Sequence, residues 1–164
     1  MRALRDQFHI PGTRVLQFAF DGSPDNPYLP HNYVPNTVVY TGTHDNNTTR
    51  GWFEELPDDQ RQNLWRYLKQ SGGDSGEAAA ALLRLAWSSV AALAVAPLQD
   101  LLNLGADART NVPGRVEGNW RWRYTQDMLS APAFQWLRDL TKTSNRSPVR
   151  QPTLFSPRGT EVTP

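Results

Sequence analysis

The sequence contains no cysteine, which removes disulfide staples, thiolate nucleophiles and every Cys-based metal site. It has no long apolar run either. The longest, Val90 to Leu98, falls well short of the roughly 20 residues a membrane-spanning helix needs. The opening stretch MRALRDQFHIPG is charged throughout and has no apolar centre of a secretion signal. The sequons at Asn46, Asn47 and Asn145 are therefore read as chance matches. Neither sign of charge prevails: 17 basic and 16 acidic residues leave a net +1, without the basic excess that a nucleic-acid or acidic-membrane partner would call for. P-loop, GxGxxG, GxSxG and HExxH patterns are all missing, and His9, His31 and His44 do not have zinc-motif spacing. These absences lead to the expectation of a cytoplasmic protein with no metal, no cofactor, no nucleic-acid partner and no membrane.

Aromatic rings are abundant instead. Six Trp, five Tyr and six Phe stand in 164 residues, together with 13 Pro. Such a density makes either a packed core or platforms for flat ligands, sugar rings included.

Along the chain, Met1 to Phe8 reads as the end of a helix stopped at Pro11-Gly12. Arg14 to Phe20 reads as a strand, with Leu16, Phe18 and Phe20 on one face. Asp21 to Asn36 is a long Pro- and Tyr-bearing loop, and loops of that length are functional or disordered. Thr37 to Gly42 is rich in β-branched residues without strict alternation, as expected of a strand buried on both faces of a parallel sheet. A helix follows Pro57 and runs to about Leu68, with Asp58 and Asp59 at its positive end. A second helix spans Glu77 to about Ser89. Ala91 to Pro97 reads as a strand and Leu98 starts a short helix. A last helix spans about Ala131 to Thr141, with Ser130 as candidate cap. The tail from Thr143 to Pro164 is Pro, Ser, Thr and Arg rich and reads as disordered. Two domains follow, 1–142 and 143–164. The order is that of an α/β protein with parallel strands, although three strands are too few for a closed (β/α)8 barrel.

Three segments can carry chemistry. Thr43-His44-Asp45-Asn46 directly follows the second strand, and in parallel α/β proteins the C-terminal strand ends collect reacting groups. Asp45 can stabilise positive charge, act as a base or bind hydroxyls. The alternative is structural: Asp45 or Asn46 caps a following helix and His44 is a half-buried, satisfied histidine. In Asn119-Trp120-Arg121-Trp122-Arg123 the indoles either stack on sugar rings or belong to the core. Tyr28, His31 and Asn32, in the Pro-stiffened loop Asp25 to Tyr33, offer rings and hydrogen-bonding groups to a hydroxyl-rich ligand.

Taken together, these segments resemble glycoside hydrolase family 77, the 4-α-glucanotransferases also called amylomaltase or disproportionating enzyme. The resemblance rests on ordered blocks: VLQFAFD from Val15, NPYLPHNY from Asn26, VVYTGTHDN from Val38, APLQDLL from Ala96, NVPG from Asn111 and GNWRWR from Gly118. It runs from about Arg5 to Leu140. It implies the C-terminal portion of a (β/α)8 TIM barrel, about the last three strands with their helices. It also implies retaining transfer of α-1,4-glucan segments between maltodextrins, in which one carboxylate attacks and another protonates the leaving oxygen. A third carboxylate stabilises the transition state, and that role falls on Asp45. His44, Asn46, Tyr28, His31, Asn111 and Trp120 become substrate-binding candidates.

The family's nucleophile block, Arg-x-Asp-His, and its acid/base block, Glu-Asp-Leu-Gly, do not occur in the sequence. Both lie upstream in the family, so the chain is expected to start just after them. Alone it should be inactive and poorly stable, and it would need the N-terminal part of a barrel. A maltooligosaccharide-binding remnant without catalysis is the alternative. Asn47 stands where the family usually has Asp, and Thr110 where it usually has Met.

Overall fold

Three short strands, all rich in small or β-branched residues, organise the molecule. The computed structural model describes residues 2–129 and 131–147. Within them β1 (Gly12–Val15), β2 (Thr37–Tyr40) and β3 (Leu93–Val95) form a parallel sheet in the order β1-β2-β3. Gly12 pairs with Thr37, Thr13 with Val38, and Val38 in turn with Leu93. Parallel neighbours cannot be joined by a tight turn and need long crossovers. Residues 16–36 make the first one, using only the 3-10 turns Leu16–Phe18 and Pro30–Asn32. The second contains the helices α2 (Thr49–Glu55), α3 (Asp58–Tyr67) and α4 (Ser75–Ser88). Ahead of the sheet lies α1 (Arg2–Gln7), and after it come α5 (Leu98–Leu101) and α6 (Ala131–Thr143).

The sheet is covered on one face. Val39 of β2 is fully buried and joins a core with Leu16, Phe53, Leu64, Ala78 and Leu82. Val38 and Tyr40, which point the other way, are only half-buried, and their row neighbours Thr13 and Leu93 are exposed. The expectation of a strand buried on both faces is thus corrected: the apolar composition of β2 is matched by helices on one side alone. Phe8, Ile10, Val34 and Val90 are also exposed, around the N-terminal ends of the strands.

Two further expectations change. The strand expected over Arg14 to Phe20 ends at Val15, because the chain curls there into a 3-10 turn. Strand alternation is therefore lost: Leu16, Gln17, Ala19 and Phe20 are all buried, while Phe18 is 51% exposed. Helix α2 escaped the sequence reading, since its apolar pattern is short and Gly51 lies inside it. The Thr48 hydroxyl caps it by accepting from the Gly51 N–H. A side chain at Gly51 would bring its Cβ within 2.9 Å of Ala106 Cβ and 2.8 Å of Asn47 Oδ1, so only glycine lets α2 lie this close.

Helix α3 starts after Pro57 with Asp58 and Asp59 in its first turn, as the sequence suggests. The start of α4 is two residues earlier than expected, where Asp74 and Glu77 form a capping box. Helix α6 is tied to α4: Trp87 Nε1 donates to Thr141 Oγ1 at 3.1 Å, and the Arg84 guanidinium lies 5.5 Å from the Trp136 ring centre. The disorder expected from Thr143 onward is corrected for its first residues: Thr143 ends α6, and just past it Arg146 donates to the carbonyls of Trp87 and Ser89. Ser130 and the tail residues 148–164 lie outside the described residues. No helix among the described residues is long and apolar enough to cross a membrane.

Candidate active site

The site begins where β2 runs out. Thr41, Gly42 and Thr43 carry the chain past the C-terminal edge of the sheet to His44 and Asp45, both exposed. Asn46 shapes this loop from within, as its Oδ1 accepts from the Thr43 N–H at 3.0 Å and the Thr43 hydroxyl at 2.8 Å. The buried Gln17 amide donates to the Asn47 carbonyl at 3.0 Å. Asn47 accepts from its neighbour's N–H and donates to Glu55 Oε1 at 2.8 Å. An Asp at this position could not donate to that carboxylate, which gives the amide a local reason. The helix cap belongs to Thr48, not to Asp45 or Asn46.

A second loop closes over the first. Arg109 bridges the two, with Nε donating to the Asn111 carbonyl and Nη2 to the Asp45 carbonyl, both at 2.8 Å. The Asn111 N–H donates to the His44 carbonyl at 3.1 Å. Its side-chain amide donates to Asp45 Oδ1 at 2.6 Å. His44 Nε2 lies 3.3 Å from the same oxygen, and the described residues give Oδ2 no partner. The Trp120 ring sits 5.1 Å from the His44 ring.

Trp120 has a φ of 61°, a left-handed conformation that is costly for so bulky a residue. Its N–H is held by the Thr110 carbonyl at 2.7 Å, and Asn119 braces the loop through Val112 and Arg115. Trp120 is exposed and Trp122 half-buried, so neither indole belongs to the core. The Thr110 hydroxyl accepts from Gln99 Nε2 at 3.0 Å, a bond that a Met at this position would not offer in the same form. His44, Asp45, Thr43, Tyr40, Thr13 and Val95 line a cavity of about 550 Å3 over the open face of the sheet.

Tyr28 and His31 are not brought to this cluster by any hydrogen bond or ring contact. Tyr28 meets Phe18 edge-on. His31 stacks on Tyr67, and its Nε2 donates to the Pro24 carbonyl, which leaves Nδ1 to accept from the Tyr67 hydroxyl. Asn32 spends its amide on the carbonyls of Pro24 and Asn26. No group of three or more His, Asp or Glu able to hold a metal occurs among the described residues.

Sequence reasoning missed Arg109, Gln17, Gln99 and Asp100. A signal existed for Asp100, the single charged residue in the apolar stretch Ala96 to Leu102. It is 2% exposed and accepts from Thr41 Oγ1, Thr49 Oγ1 and the Thr49 N–H at 2.6 to 2.7 Å. Burial pushes its carboxyl above the ordinary 3.8, against the pull of those donors. A carboxyl so shifted adds stability below its unfolded pKa, and that contribution is lost as pH rises through the folded one. The thermal midpoint of the unmutated chain should therefore fall relative to Asp100→Asn as pH rises from below 3.8 to neutrality. Parallel melting series showing a pH-independent difference would contradict this.

A parallel α/β protein with a carboxylate, an imidazole and an indole gathered beyond its strand ends has the layout of an enzyme of that class. The profile of glycoside hydrolase family 77, 4-alpha-glucanotransferase, matches residues 1–129, and the chain belongs to that family. It is 54% identical over 132 residues to the 4-alpha-glucanotransferase of Synechocystis sp., a match covering 79% of this chain and 26% of that protein. With the Thermus thermophilus 4-alpha-glucanotransferase the identity is 46% over 151 residues, 89% of this chain and 30% of the relative. The structure of amylomaltase from Streptococcus agalactiae in complex with acarbose superposes with a TM-score of 0.81 at 33% identity, covering 88% of this chain and 29% of that one. The chain thus spans between a quarter and a third of the length of these relatives.

Proposed function

We propose that this chain forms the last three strands and helices of a (β/α)8 barrel and supplies the transition-state carboxylate of a 4-α-glucanotransferase. The observation that carries the proposal is Asp45. Its carboxylate is fixed by Asn111 at 2.6 Å, beside His44, at the C-terminal edge of a parallel strand and on the wall of a cavity. Oδ1 is used by Asn111, while Oδ2 remains for a sugar hydroxyl. A fixed negative charge beside the reacting sugar stabilises the oxocarbenium that develops there, and does so most where water is excluded. Exclusion of water also favours an acceptor hydroxyl over hydrolysis, hence transfer of α-1,4-glucan segments between maltodextrins.

His44 and Trp120 offer ring faces to the same ligand, Asn111 orients the carboxylate, and Asn46 holds the loop. Tyr28 and His31 enter through their ring faces only, since both nitrogens of His31 are engaged. The acarbose held by the Streptococcus agalactiae relative supports a sugar ligand here. Double displacement between carboxylates calls for no cofactor. The nucleophile and the acid/base come from the length of the family that these residues do not span. The open sheet face and the exposed Ile10, Val34, Val90 and Leu93 support burial against that further part of a barrel. The site of action proposed is the cytoplasm.

A second reading, sugar binding without turnover, is favoured by the Asp45 carboxylate standing beside the His44 and Trp120 rings in a sequence that carries no nucleophile block. Maltotriose separates the two. The purified chain should release no glucose by itself. Joined to the part of the Thermus thermophilus relative outside the match, it should transfer glucan. Binding without turnover in the joined protein would leave only the second reading, and release by the chain alone would overturn the division of labour.

A further inference from the structure

We infer that Asp100 is a positioning residue, which sets the separation of Asp45 and Asn111 by clamping the loop that carries Asp45. The inference rests on the proposed role of Asp45. Asp100 is all but fully buried, and the ion pairs among the described residues do not include it. A buried carboxylate without a cation is costly, and its cost is met here only by hydrogen bonds. Those bonds go to two residues with a particular placement. Thr41 immediately precedes the segment Gly42 to Thr48, and Thr49 immediately follows it. One carboxylate therefore holds both ends of the loop that bears His44 and Asp45, with Oδ2 bridging the two hydroxyls and Oδ1 taking the Thr49 N–H.

The neighbouring residue holds the opposite wall. Gln99 is also buried, and its Nε2 donates to the Ala108 carbonyl at 3.2 Å and to Thr110 Oγ1 at 3.0 Å. Asn111 is the next residue along. Consecutive side chains of α5 thus fix the two loops whose meeting point is the Asn111–Asp45 hydrogen bond. Displacement of either loop lengthens that bond and releases the carboxylate. Asn at position 100 can keep the clamp, with its oxygen accepting from the Thr49 N–H and its amide donating to hydroxyls that rotate to accept. Alanine cannot.

The test uses the 164-residue chain, isotopically labelled, with two readouts: the Asn111 side-chain amide resonance and the affinity for acarbose. In the unmutated chain the amide proton shared with Asp45 should be displaced downfield. Asp100→Ala should remove that displacement and weaken acarbose binding about ten- to hundredfold, the scale of losing one hydrogen bond to a charged group. Asp100→Asn should restore both to within a few fold. Asp74→Ala, which removes the α4 capping box but none of the hydrogen bonds made by Asp100 or Gln99, should lower the thermal midpoint and leave the Asn111 resonance in place.

If Asp100→Ala remains folded with resonance and affinity unchanged, Asp100 serves stability alone and the inference is wrong. If it does not fold, Thr41→Val and Thr49→Val each remove one hydroxyl donor. A shifted Asn111 resonance in either supports the clamp, and an unshifted one in both overturns it. Failure of the unmutated chain to bind acarbose would count against the proposed function, while the resonance still decides the role of Asp100.

Discussion

In the protein joined to the remainder of a family member, Asp45→Asn should lower glucan transfer from maltotriose by about a thousandfold, the scale of losing one preorganised electrostatic partner of a transition state. The substitution is nearly isosteric. An Asn oxygen still accepts from Asn111, so the two loops stay together and only the charge goes. Because that charge matters most when the sugar becomes an oxocarbenium, the loss should fall on kcat more than on KM. The side chain is 51% exposed, so stability should change by no more than about 0.5 kcal/mol. Steady-state rates with a parallel melting curve separate the two effects. Activity within tenfold of the unmutated protein would remove Asp45 from the chemistry and return it to a loop-shaping part.

Leu82→Ala should destabilise the isolated chain by about 3 kcal/mol, as for fully buried leucines elsewhere. Leu82 is 0% exposed in the middle of α4, in the cluster that joins the helices to Val39 of β2. The four alanines beside it allow close approach and leave little bulk to refill a cavity. A sheet covered on one face has less burial than an ordinary domain of this length, so a loss of that size is a large part of total stability, itself only about 5–15 kcal/mol for typical domains. The urea midpoint should fall steeply. In the joined protein the same substitution should cost no more than in the chain alone, since the core around α4 is already complete. A midpoint unchanged in the isolated chain would mean that this core is not what holds it together.

Much of this molecule was legible from local signals. Pro57 with two aspartates announced α3, and Pro97 announced the break before α5. The β-branched run from Thr37 announced β2, with its polar loop at the C-terminal end. Local signals misled where tertiary contacts chose the conformation. Leu16 to Phe20 alternates like a strand but curls, so that four of its five residues are buried at once. Trp120 cannot be foreseen at positive φ, because the Thr110 carbonyl and the Asn119 brace that hold it are set by the fold. His31 looked free in sequence and is occupied by Pro24 and Tyr67.

The sequence by itself determined the family, through ordered blocks of chemically distinctive residues, and it determined that Asp45 lies in the loop that follows a parallel strand. Only the tertiary structure decided which groups stand around it. Asn111 is 66 positions away in sequence and 2.6 Å away in space, and Arg109 and Trp120 arrive from the same distant loop. Periodicity reports on neighbours a few residues apart, whereas a site is made by loops whose mutual distance is fixed by buried groups such as Gln99 and Asp100. Those groups work through contacts spanning up to 59 positions in sequence, which no local pattern records.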